Sequence, residues 1–320
     1  MTKTDLLTGI LGSGKTTFLL RYARYLIDSG LRIAILVNDL GAVNVDMLML
    51  SELKCDRCQL EMIAGTADPC CHKRRFKTQL ISLGMQHFDR VIIEPSGIFD
   101  MDEFFDILHE APLDNWFEVG SIIGIIAPEC GGRLTEQMEY LFASEASCCG
   151  KLVVSKFNSG VDTEKLIEHL NSSLAEIKCD RRFTERDVIA KDWSELTDED
   201  FRVITAAGYR SSSYVKKYRA EEILSSVRYF MHISLPDEVI VSVIEGIMRD
   251  ERCGRIFRIK GSLFTEKQGW LKINAMPEKV ETEPVSEGQS VLIVIGDDLD
   301  KSAIDAHLTK FNSDPEYVSV

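Results

Sequence analysis

The sequence predicts an α/β protein with a doubly wound, mostly parallel sheet and a smaller C-terminal α+β domain. The boundaries fall at 1–200 for the first domain, 201–228 for a linker and 229–320 for the second domain. Three observations predict this. Short β-branched runs alternate with helical patterns through the first half, as βαβ units require. A glycine-rich turn at 9–16 falls between the first run and the first helical pattern. Beyond Ala190 the alternation stops, and strands follow one another with few helices between them.

The strands of the first domain are expected at 5–8, 33–38, 60–63, 91–94, 121–126 and 152–155. Near-continuous apolar character marks them as buried on both faces, as in parallel sheets covered by helices. The first helix is expected at 16–27, where Phe18, Leu19, Tyr22, Tyr25 and Leu26 recur at helical spacing. Similar patterns predict helices at 73–83, 101–109, 134–146 and 163–174. Residues 192–200 are acidic and polar, and 209–218 lack periodicity, so this region reads as the linker. In the second domain, strands are expected at 228–232, 255–259, 269–273 and 291–295, with helices at 236–249 and 301–308.

Composition narrows the function classes. With 51 Asp+Glu against 37 Lys+Arg, the formal net charge is -14. Nucleic acid and anionic lipid both demand a basic footprint, so neither is an expected partner. No apolar run approaches the ~18 residues needed to span a bilayer. The stretch before Lys15 carries no secretory apolar segment, and a cytoplasmic location is expected. A chain of 320 residues buries a core without disulfide staples. Its nine cysteines therefore read as thiols or metal ligands in a reducing compartment.

The run Gly9-Ile-Leu-Gly12-Ser13-Gly14-Lys15-Thr16 fits the P-loop pattern in its required context of strand, turn and helix. Glycines let backbone N–H groups turn inward around a β-phosphate, and the helix N-terminus adds partial positive charge. Lys15 reaches the β- and γ-phosphates, Thr16 holds Mg2+, and Thr17 follows in the same turn. The nucleotide site is assigned to Gly9, Gly12, Ser13, Gly14, Lys15, Thr16 and Thr17. Glu94 ends the apolar run 91–94, at the strand end where ligands bind in open α/β sheets. It either holds Mg2+ through water or orients the attacking water. Gly97 offers a backbone N–H to the γ-phosphate, which makes the loop after Glu94 a switch. Lys15, Glu94 and Gly97 are the expected catalytic group. Asp39, after the second strand, is a further candidate near Mg2+ or phosphate, although Asn-Asp-x-Gly is also an ordinary turn.

Cysteines cluster after the second strand as Cys55-x2-Cys58-x11-Cys70-Cys71. Soft thiolates select Zn2+, Cu(I) or Fe–S clusters. Zn2+ is the expected ion, with an Fe–S cluster or another transition metal as the alternatives. Cys148 and Cys149 are expected in the core, as small buried hydrophobes.

Together these pieces resemble the CobW-type P-loop GTPases, relatives of the hydrogenase and urease nickel-insertion GTPases. The resemblance rests on 9–16, on VNDLGAVNVD at 37–46, on the cysteine pair after Ile63-Ala-Gly65 and on 94–97. It continues through Arg258-Ile-Lys260-Gly261, Val291-Leu-Ile-Val-Ile-Gly296 and Leu299-Asp300, so it covers nearly the whole chain. It implies a Mg2+-dependent nucleoside-triphosphatase acting as a metallochaperone, which couples hydrolysis to delivering a metal or metal cofactor to a client metalloprotein. The oligomeric state stays open, a homodimer included. The competing expectations are a nucleotide-binding metal or redox sensor with little hydrolysis, and a small-molecule kinase.

Three departures from that family stand out. Asp68 replaces the first thiol of the family's Cys-x-Cys-Cys, Ala127 replaces an acid, and the guanine-reading motif becomes Ser155-Lys156-Phe157-Asn158. The pair Cys55 and Cys58 is expected to compensate for Asp68, giving one site of up to four thiolates with Cys70 and Cys71. Lys156 packs under the base. Asn158 in place of Asp lowers guanine preference by about 1.5–3 kcal/mol. GTP is therefore favoured, with ATP as the competitor.

Overall fold

The fold is described from a computed structural model. It describes all residues except 11, 39–49, 64–68, 96–98, 129–133, 159, 219–226, 278 and 320, and it excludes the side chains of 38, 69–72 and 297. The described residues form two compact units, one ending before residue 219 and one beginning at 227. Among them, no helix is long and apolar enough to cross a membrane.

The first unit is a sheet of seven parallel-paired strands, in the order β3-β2-β4-β1-β5-β6-β7. The strands are β1 (Thr2–Thr8), β2 (Ile33–Asn38), β3 (Cys58–Ile63), β4 (Arg90–Pro95), β5 (Phe117–Ile126), β6 (Lys151–Val154) and β7 (Val188–Ile189). Leu6, Leu7, Ile33, Ile35, Ile92, Ile123 and Val153 are fully buried, as strands covered on both faces must be.

The helices are α1 (Lys15–Asp28), α2 (Pro69–Gly84), α3 (Met101–Leu108), α4 (Glu136–Ala146), α5 (Thr163–Glu176) and α6 (Asp198–Thr205). Helix α1 buries Phe18, Leu19, Tyr22, Ala23 and Leu26. It stops in a left-handed Gly30 whose N–H reaches the Ile27 carbonyl, while Leu31 N–H reaches Leu26. That pair of bonds satisfies the last carbonyls of the helix. Helix α2 begins four residues earlier than expected, on Pro69, a residue pre-set for the first helical position.

A buried polar cluster ties β1, β4, β5 and α1 together. Arg90 Nη1 donates to both carboxylate oxygens of Asp5 at 2.5 Å. Tyr22 donates to Asp5 at 2.7 Å, and the Ser121 N–H does the same at 2.7 Å. A Cβ at Gly120 would lie 2.3 Å from that carboxylate, so only glycine fits. Burial and the neighbouring Asp5 charge together push the Tyr22 phenol well above its usual range.

The expected linker at 201–228 is corrected by the structure. Its first residues belong to α6, where Thr197 and Asp200 form a capping box and Phe201 and Ile204 are buried. The Phe201 ring packs on Phe18, Tyr22 and Tyr25. The acids that suggested a linker are first-turn acids, which the helix dipole favours. Farther on, Tyr209 bridges to Cys149, Arg210 N–H reaches Cys148 O at 3.1 Å, and Val215 N–H reaches Ile177 O at 2.8 Å. Non-periodic segments of this kind are fixed by backbone bonds that no side-chain pattern records.

The second unit is an antiparallel sheet in the order β11-β10-β9-β12-β8-β13. It comprises β8 (Val227–Met231), β9 (Arg255–Thr265), β10 (Gly269–Met276), β11 (Lys279–Val285), β12 (Val291–Asp297) and β13 (Val318–Ser319). Helices α7 (Ile240–Arg249) and α8 (Lys301–Thr309) supply Ile240, Ile244, Ile247, Ile304 and Leu308 to a core with Ile259, Leu263, Ile273 and Leu292. Strand β11 was not expected. Its sequence KVETEPV is charged, carries Pro284 and is mostly exposed, which is how an edge strand avoids further pairing.

Candidate nucleotide and metal site

Residues 9–16 connect the carboxyl end of β1 to the N-terminus of α1. Gly9 has φ +143°, and a Cβ there would lie 2.3 Å from the Ile125 carbonyl oxygen and 2.7 Å from Ser13 Oγ. Gly12 and Gly14 also have positive φ. Gly14 is the N-cap of α1 and has no side chain to place there, so the first-turn N–H groups face the loop as an anion site. Ser13 is buried and Thr17 is exposed.

Lys15 is buried and folds back so that its Nζ donates to Gly9 O at 2.5 Å. Thr16 Oγ1 donates to Glu94 Oε1 at 2.6 Å. Glu94 lies on β4, the neighbour of β1 in the sheet, and is 5% exposed. The structure therefore brings Lys15, Thr16 and Glu94 together at adjacent strand ends. A hydroxyl beside a carboxylate is a pair of hard oxygen donors, which suits Mg2+.

Two residues of the site escape sequence reasoning. Glu145 on α4 is buried, and its Oε2 accepts from Gly9 N–H at 2.8 Å and from Thr8 Oγ1 at 3.0 Å. Burial pushes its carboxyl up, against the Lys15 charge and hydrogen bonds from Thr8, Gly9 and Phe99. Glu145 thus links the P-loop entrance to the segment after Glu94. Its only signal is an acid inside the otherwise apolar end of α4. The second residue is Trp193. Its Nε1 donates to Val154 O at 2.8 Å, and its ring lies 3.1 Å from where a Gly14 Cβ would be. An aromatic in an acidic stretch was the available sign.

The segment Ser155-Lys156-Phe157-Asn158 follows β6, and Ser155 Cβ lies 3.5 Å from the Gly14 Cβ position, beside the P-loop. Asn158 Oδ1 accepts from Gly160 N–H at 2.9 Å. The carbonyl that would read a base is engaged in its own turn. Asp39, Gly97 and the side chains of Cys70 and Cys71 lie outside the described residues.

The expected four-thiolate site is corrected. Cys55 and Cys58 form a tight turn in which Cys58 N–H reaches Cys55 O at 3.0 Å. Cys55 is exposed, and Cys58 is 2% exposed at the first residue of β3. Burial, with Cys55 adding to it, pushes the Cys58 thiol up to about 12. Helix α2 runs antiparallel to β3. Gln79 bonds Glu61 at 2.8 Å, and a Cβ on Gly84 would meet Phe117 at the start of β5. From Gln79 the α2 backbone runs about 14 Å to Cys70, and from Glu61 β3 runs about 10 Å the other way to Cys58. Along those two runs the backbones of the pairs fall at opposite sheet ends, more than about 20 Å apart, a span that Zn–S bonds of about 2.3 Å do not bridge. The spacing in sequence hid a strand between them. Cys148 and Cys149 are buried in the core, as expected.

Residues 3–185 match the CobW/HypB/UreG nucleotide-binding domain, and 231–312 match the cobalamin synthesis protein cobW C-terminal domain. Zinc chaperone YeiR of Escherichia coli (strain K12) is 32% identical over 129 residues, 40% of this chain and 38% of that protein. Zinc chaperone YjiA of the same organism is 29% identical over 180 residues, 52% of each chain. Zinc-regulated GTPase metalloprotein activator 1 of Dictyostelium discoideum is 37% identical over 107 residues, 29% of this chain and 22% of that protein. The chain thus spans about half or less of each relative's length. With a family match over more than half its length, the chain belongs to the CobW/HypB/UreG nucleotide-binding family.

Proposed function

We propose that this chain is a Mg2+-dependent GTPase acting as a metallochaperone, delivering a thiophilic cation, zinc foremost, to a client metalloprotein. The observation that carries the reading is the convergence of Lys15, Thr16 and Glu94 around the glycine loop. The names of the relatives, zinc chaperones and a zinc-regulated GTPase, support the cargo and the nucleotide.

On nucleotide binding, Lys15 Nζ exchanges the Gly9 carbonyl for β- and γ-phosphate oxygens, and loop N–H groups close on the β-phosphate. Thr16 and Glu94 would hold Mg2+, which when bound draws negative charge from the β- and γ-oxygens. Glu94 orients water at the strand end, either in the ion's shell or as the nucleophile. Gly97 and Asp39, assigned from the sequence to the γ-phosphate and to the ion, would complete the site. Lys156 packs its stem under the base, and the engaged Asn158 carbonyl keeps ATP in competition. Trp193 packs beside Gly14 and supports the loop from behind.

Cys70 and Cys71 are proposed as the cargo ligands. They fall in the first turn of α2, and a helix N-terminus favours the thiolate form. The test is hydrolysis of GTP and ATP side by side with Mg2+ and Zn2+ present, with Lys15→Ala as the control. The reading expects GTP turnover that is lost in K15A. Faster, tighter ATP turnover overturns the nucleotide choice. No turnover of either favours a nucleotide-binding metal sensor.

A further inference from the structure

Helix α7 ends at Asp250, which caps the single turn of Glu251–Cys253, and α8 lays His307 against that turn. Asp250, Cys253 and His307 each offer one ligand atom, and these atoms all lie within 4.8 Å of one another. His307 Nε2 is 2.8 Å from Asp250 Oδ2. The imidazole lies beside Gly246 of α7. A Cβ there would lie 3.4 Å from His307 Nδ1, in ordinary contact with the ring. Cys253 is fully buried and forms the floor, whereas the side chains of Asp250 and His307 retain 14% and 27% exposure.

We infer that Asp250, Cys253 and His307 form a three-ligand site for a borderline divalent metal ion, Zn2+ or Co2+, with its fourth position open to water. A thiolate, an imidazole and a carboxylate together suit such ions; hard cations reject the sulfur and Cu(I) rejects the carboxylate. Tetrahedral bonds of about 2.0–2.3 Å place the ligand atoms about 3.4–3.6 Å apart. The widest separation must close by about 1 Å and the His307–Asp250 edge must open by less, changes within side-chain rotation. Arg252 N–H donates to Asp250 Oδ1 at 3.0 Å, so the carboxylate is already oriented with Oδ2 turned to His307, as outer bonds do in metal sites. The exposed Arg252 guanidinium holds the same carboxylate bidentately, Nε to Oδ1 at 2.9 Å and Nη2 to Oδ2 at 2.7 Å. A metal ion at Oδ2 must therefore displace Nη2 while the bonds to Oδ1 remain. As the Sγ–metal bond forms, the Cys253 thiol proton leaves to solvent. Three protein ligands with water as the fourth describe an exchangeable site rather than a closed structural one.

The site stands on the second unit alone and does not depend on nucleotide hydrolysis. The test titrates the metal-free full chain with Co2+, read by native mass spectrometry and absorbance. His307→Gln and Asp250→Asn are expected to take up one equivalent fewer, or to bind it about tenfold or more weakly. Cys253→Ser is expected to lose one thiolate-to-cobalt charge-transfer contribution. Circular dichroism checks each fold, and His307→Gln, at a partly exposed position, keeps the test decisive if C253S does not fold. Unchanged stoichiometry and affinity in H307Q and D250N overturn the site.

Discussion

Gly9→Ala tests the nucleotide site with the smallest perturbation available, one methyl group. That methyl would lie 2.3 Å from the Ile125 carbonyl oxygen and 2.7 Å from Ser13 Oγ, at φ +143°. A carbon–oxygen contact needs about 3.3–3.6 Å, so the loop or the end of β5 must move by at least about 1 Å. Misplacement on that scale costs about 10²-fold in a positioned reaction, or about 2.7 kcal/mol. Gly208→Ala is the control. It shares positive φ, at +62°, but nothing lies within 4 Å of its Cβ, so only backbone strain of about 1 kcal/mol is added. The assay is GTP affinity and kcat/KM for both variants, with circular dichroism to show that each is folded. G9A is expected to lose about 10²-fold in kcat/KM and G208A to keep its activity. A folded G9A within threefold of the parent would refute the steric argument.

Arg90→Leu leaves the buried Asp5 carboxylate without its cation and is expected to cost about 3–5 kcal/mol in urea unfolding, whereas Asp5→Leu with Arg90→Leu together costs much less. With the Cys58 thiol pushed up to about 12, the unfolded chain ionises first as pH rises above about 9. Stability should therefore fall between about pH 9 and 12, and Cys58→Ser should flatten that slope in alkaline denaturation. At pH 8, exposed Cys55 should alkylate well before Cys58 by mass spectrometry. Cys70→Ser with Cys71→Ser should abolish nucleotide-sensitive zinc uptake, while Cys55→Ser with Cys58→Ser should spare it. Equal losses would restore the shared site.

Much of the first unit was legible because parallel strands buried on both faces leave continuous apolar runs, as at Ile33 to Val37 and Val91 to Ile93. The P-loop was legible because its chemistry demands glycine, lysine and threonine at fixed spacing. What the sequence hid was long-range. Asp5 meets Arg90 across 85 positions and Glu145 meets Gly9 across 136, and no local pattern encodes such pairings. Helix α6 was obscured because its acids resemble a solvated linker until the Thr197–Asp200 capping box is recognised. Strand β11 was obscured because an edge strand is built from charges and proline. The cysteine spacing misled for a topological reason: β3 carries Cys58 and the start of α2 to opposite ends of the sheet.

The central claim is that nucleotide state and zinc binding are coupled in one molecule. Zinc affinity measured with a non-hydrolysable GTP analogue and again with GDP, both with Mg2+, tests it most directly. The account predicts affinities that differ by about 5–150-fold between the two states, with the difference lost in Lys15→Ala. Equal zinc affinities in the two nucleotide states would contradict it.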